Sequence, residues 1–96
     1  MEKHSKKFME LMSIFEDARM RYRALVKGAE ASHMMLEQYA DLKDLIEINA
    51  MLDFVLKEAK DRLSDYDEYN EVTSATIALQ NAVRCAIYIA NHVSKK

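Results

Sequence analysis

Glu30-Ala-Ser-His33 is the spacing in this chain that comes nearest to metal chemistry. Residues three apart share a helix face, so a carboxylate and an imidazole would point the same way. Helix bundles hold di-iron centres with such pairs, adding glutamates from facing helices. In a symmetric oligomer Glu10 or Glu16 would be the candidates, but no inward acidic position lies beside the pair and it falls in the first turn after a glycine, so it reads as solvated surface. Cys85 is the only thiol. Neither a histidine nor a basic cluster accompanies it to stabilise a thiolate, so it is expected to be a small buried apolar side chain and not a nucleophile. The sequence has no glycine-rich phosphate loop, no paired Cys/His ligands and no nucleophile set beside a base. The expectation is a protein that is not an enzyme and uses no cofactor or metal.

A second constellation centres on Arg84, the one charge between Thr73 and Val93. Gln80, Tyr88 and Asn91 lie on its stripe of the helix. Together the four could line a pocket between subunits for a small anionic ligand such as a nucleotide. The simpler reading pairs Arg84 with an acid of the preceding helix, because twelve of the sixteen acids fall between residues 29 and 71. A third reading uses those acids themselves. Glu37, Asp41, Asp44 and Glu47, with Asp61, Asp65, Asp67, Glu68 and Glu71, would imitate a phosphate backbone and block a nucleic-acid-binding protein. The basic start, Lys3 to Lys7, is too short for direct binding to nucleic acid or an anionic membrane, and Glu10, Glu16 and Asp17 follow it too soon.

These side chains need helices to hold them, and the composition supplies little else. Proline is absent, glycine occurs once, and half of the 96 residues are apolar. Such a chain is all-α, and its length suits one core, so residues 1–96 are expected to form a single helical-bundle domain. A lone cysteine and a start without an apolar leader favour a reducing, cytoplasmic setting. The net charge of −2 hides local balances of +3, −8 and +3 over residues 1–28, 29–71 and 72–96. Helices so charged attract one another, within a bundle or between chains.

Phe8, Leu11, Met12, Phe15, Ala18, Tyr22, Leu25 and Val26 recur at helical steps, which predicts a first helix over about 4–27 that Gly28 ends or bends. A second helix is predicted over 29–63. Its stripe is Met35, Tyr39, Leu42, Ile46, Leu52, Leu56, Ala59 and Leu63, interrupted by Asn49, with Met51 and Phe54 apolar beside it. Asp65 and Glu68 form a capping box that opens a third helix over 66–93. Along that helix Ala78, Ala82, Ala86 and Ala90 make a ridge of small side chains on which another helix could pack closely. A membrane span is excluded, because a central arginine costs at least about 2.5 kcal/mol there.

The expected architecture is therefore a three-helix, mainly antiparallel bundle. More apolar surface remains than three helices can cover, so a homo-oligomer is expected, joined through Ala78, Ala82, Ala86, Ala90, Met51 and Phe54. The expected function is that of a non-enzymatic regulatory protein, an adaptor, chaperone or inhibitor, that binds a protein partner through helical surfaces. The alternatives are the small-anion binder and the acidic mimic.

Overall fold

Ser5 opens the first helix. In a computed structural model of the chain, which describes residues 5–94 and side chains as far as residue 92, the Ser5 hydroxyl accepts from the Phe8 backbone N–H at 3.1 Å. That bond satisfies one of the donors left over at the start of α1, Lys6–Ala31. His4, the expected start of this helix, and Lys3 of the basic start lie outside the described residues.

The helix does not end at Gly28; it runs through it to Ala31. Its true end is a pair of backbone bonds, His33 N–H to Glu30 O at 3.1 Å and Met34 N–H to Ala29 O at 2.9 Å. They close around His33 at φ 56°. This is the Schellman pattern, with histidine in the left-handed position that glycine more often takes. Gly28 serves a different purpose, because the ring of Tyr39 lies against it: a Cβ there would stand 2.7 Å from Tyr39 Cε2. A double-mutant cycle measures this contact. Gly28→Ala should stabilise a Tyr39→Ala protein by about 1 kcal/mol, the ordinary helix preference. In the wild-type background that gain should be lost or reversed, and equal effects in both backgrounds would contradict the contact.

The helix expected over 29–63 is divided. After the turn at His33 come α2, Leu36–Tyr39, and α3, Leu42–Arg62. Asp41, in extended conformation, stands at the N-cap position of α3, and Asp44 places negative charge in its first turn. The break resets the helical phase. The buried face of α3 is Leu45, Ile48, Leu52, Val55 and Ala59, whereas Ile46, assigned to the stripe in the sequence, is half exposed.

A three-residue connection leads to α4, Tyr66–Ser94. Asp65 Oδ1 accepts from the Glu68 N–H at 3.0 Å, the cap expected. The Glu68 carboxylate reaches across to α1, accepting from the Ser5 N–H and the Ser5 hydroxyl at 2.7 Å each. The starts of α1 and α4 are thereby tied together, and Lys7 Nζ joins α3's Glu58 at 3.3 Å at the same end. So α1 and α4 run parallel and α3 runs against both. No strand occurs among the described residues, and the molecule is an all-α bundle of four helices, the second a single turn.

Three clusters fill it in sequence along its length. Phe8, Leu11, Val55, Ala59 and Val72 pack at the Ser5 end; Phe15, Ala18, Ile48, Leu52 and Val83 pack in the middle; and Ala40, Leu45, Ala86 and Ala90 pack beneath α2. α3 packs closely on α1 and on α4, which meet each other less. The result is long and thin, 50 × 24 × 16 Å with a radius of gyration of 15.0 Å, against about 12 to 13 Å for a compact domain of this length. A shape one core thick leaves the outer faces of its helices uncovered. No helix among the described residues is long and apolar enough to cross a membrane.

Within α4, Thr73 Oγ1 donates to the Tyr69 carbonyl at 2.8 Å. Thr76 is fully buried and its hydroxyl has no hydrogen-bond partner among the described residues. An unpaired buried hydroxyl carries its desolvation cost uncompensated. Thr76→Val, nearly the same in shape, should therefore raise stability by about 1 kcal/mol in chemical denaturation. A loss of stability would contradict this account of the hydroxyl.

Candidate functional site

The stripe singled out in the sequence becomes a contact between α4 and α3. Gln80 is buried, and its Nε2 donates to Asn49 Oδ1 at 3.0 Å and to Asp53 Oδ1 at 2.6 Å. Arg84 Nη2 lies 3.8 Å from the same Asp53 oxygen. Both members of that ion pair are exposed, so it is worth at most about 1 kcal/mol. Asn49, which interrupted the apolar stripe in the sequence, is explained by this bond; Asp53 is the acid that Arg84 meets. Tyr88 continues along α4 with its ring 4.3 Å from that of His92, and Asn91 is exposed beyond it. Gln80 and Arg84 are thus brought together, while Tyr88 and Asn91 face outward and close no pocket with them. The Asp53 carboxylate beside Arg84 opposes an approaching anion, so the geometry suits a structural contact better than a phosphate site.

The alanine ridge divides as well. Ala78 and Ala82 are exposed, but Ala86 and Ala90 are covered by this chain's own Ala40 and Leu45. The cause is helical geometry: each four-residue step turns about 40° round the axis, so a row that begins outside winds into the core within three steps. Met51 is half buried against the middle cluster of its own chain, while Phe54 is free at 50% exposure. Of the six residues expected to join subunits, Ala78, Ala82 and Phe54 are fully available.

Glu30 and His33 do not share a helix face. Glu30 lies in the last turn of α1 and His33 stands in the left-handed turn beyond it, both exposed. No group of three His, Cys, Asp or Glu side chains able to hold a metal ion occurs among the described residues. Cys85 is exposed, contrary to the buried role expected. On α1, the hydroxyl of Tyr22 is held above its ordinary pKa of 10.0, chiefly by burial, then by the charges of Glu37 and Cys85. The acids proposed as a phosphate mimic stand in two groups. Asp44 and Asp61 are separated by the length of α3, about 25 Å at 1.5 Å per residue, and Glu68 is engaged with Ser5.

What remains open is apolar. On the outer side of α3 and α4, flanking Asp53 and Arg84, Ile46 and Phe54 are each 50% exposed, Ile77 is 47% exposed and Tyr88 is 64% exposed. Sequence reasoning marked Phe54 for a subunit contact and Tyr88 for a ligand pocket, and missed Ile46, which it placed on the main stripe of the second helix. Compared with known proteins, the sequence matches no family model, and no curated protein or solved structure matches it either.

Proposed function

We propose that this chain is a non-enzymatic interaction protein that binds a protein partner through the outer surfaces of α3 and α4 and works as a homo-oligomer. The observation that carries the reading is the group of four large apolar side chains, Ile46, Phe54, Ile77 and Tyr88, exposed on two adjacent helices around a neutralised ion pair. Apolar anchors beside limited charge are the composition of an interface centre. Between Ser74 and Tyr88 the exposed side of α4 carries Arg84 as its one charge, and Asp53 pairs with it. An adaptor, a chaperone and an inhibitor all need such a helical surface and no catalytic group.

The test is quantitative affinity capture from the source cells with wild type and an Ile77→Lys, Tyr88→Lys double variant. Both positions are exposed, so the variant should keep its helicity and melting behaviour. The reading expects a protein retained by wild type and lost from the variant. Equal retention by both would contradict it. A nucleotide that raised the melting temperature of wild type but not of Arg84→Ala would favour the anion-binding reading instead.

A further inference from the structure

The outward edge of α3 carries a pattern that shares only Phe54 with the surface described above. Lys43, Glu47, Ala50, Phe54, Lys57 and Asp61 follow one another at steps of four, three, four, three and four residues, and all six are exposed. Residues at that spacing lie along one side of the helix, the side that a partner helix would meet along its length. None of Lys43, Glu47, Lys57 and Asp61 takes part in an ion pair among the described residues, although Asp53 and Glu58 on the same helix both do.

Read along α3, the seam is positive, negative, small, large, positive, negative. Laid against a copy of itself running the opposite way, with the two-fold axis at the level of Leu52, it becomes complementary at every layer. Lys43 faces the copy's Asp61, Glu47 faces the copy's Lys57, and Phe54 lies over the copy's Ala50, each contact occurring twice. A parallel copy would set Lys43 on Lys43 and Glu47 on Glu47, which repels at each charged layer. The aromatic and the small residue fall at the centre and the charges towards the ends, the usual division between a dry centre and a wet rim.

From this we infer that a second copy of this chain docks antiparallel on the outer edge of α3. The inference deepens the protein-binding reading and rests on it only for the premise that uncovered helix faces take protein. It moves the subunit contact from the alanine ridge of α4, half of which is already covered, to α3. The seam spans about 27 Å. It is short and its contacts are charged, so the dimer is concentration-dependent and weakens with salt.

The test is absolute molar mass by light scattering over a concentration series, for wild type, Glu47→Lys, Lys57→Glu and an equal mixture of the two variants. Wild type should approach twice 11.2 kDa. Each single variant sets like charges together in both halves of the seam and should dimerise at least about 100-fold more weakly. The mixture should recover the dimer. The lysine introduced at position 47 of one variant then faces the glutamate introduced at position 57 of the other, while the native Lys57 and Glu47 face each other. Circular dichroism confirms folding, since both positions are exposed. A wild type that stays monomeric at every concentration overturns the inference, as does a dimer indifferent to both reversals. A monomer would also remove the homo-oligomer from the proposed function, but neither result touches partner capture through Ile77 and Tyr88, so self-docking and partner binding fail separately.

Discussion

Leu45→Ala lowers the stability of the folded chain by about 3 kcal/mol, whereas Ile46→Ala changes it by less than about 1 kcal/mol. The two side chains are neighbours in sequence and alike in volume. Leu45 is completely buried under α2 with Ala40, Ala86 and Ala90 around it, so its truncation leaves a cavity that these small side chains cannot fill. Ile46 points to the outer side and is half exposed. Urea denaturation followed by circular dichroism separates them. Equal losses, or a larger one at Ile46, would mean that α3 is rotated from the phase described.

Removing the carboxylate that joins the two parallel helices has the next largest effect. Glu68→Ala should cost about 2 kcal/mol, the range for a buried charged acceptor that holds two donors. Glu68 is 8% exposed and accepts from both the N–H and the hydroxyl of Ser5. Its loss would also free the N-cap, so the first-turn amides of α1 should exchange with solvent faster than those near Ala18. Glu68→Gln keeps an acceptor and should fall between. A change below about 0.5 kcal/mol for the alanine variant would mean the tie contributes nothing.

These residues show how much of the molecule can be read from the chain. α1 and α4 were legible because each has an unbroken three- and four-residue apolar rhythm and α4 has a polar cap, Asp65 with Glu68, which forms its backbone bond. The middle was not. A glycine is the usual sign of a helix end, and here Gly28 makes room for Tyr39 while a histidine takes the turn. The real start of α3 was signalled by Asp41 with Asp44, but the apolar residues on either side connect across it at helical steps. Reading through that break shifted the phase, so Ile46 was put on the main stripe and Leu45 was left off it. Half of the alanine ridge, Ala86 and Ala90, turns into the core for a related reason: a strict four-residue repeat does not keep to one face. At the site, an acid for Arg84 was legible from charge balance. The identity of Asp53, and its sharing with Gln80 and Asn49, needed the register of α3 on α4.

The central claim is that the outer surface of α3 and α4 is where this chain meets another protein. A photo-crosslinking residue in place of Ile77 tests it most directly, with the same residue in place of Ser13, exposed on α1, as the control. Illumination in the source cells should give a discrete protein adduct from position 77 and none from position 13. No adduct from position 77, or the same adducts from both, would contradict the claim.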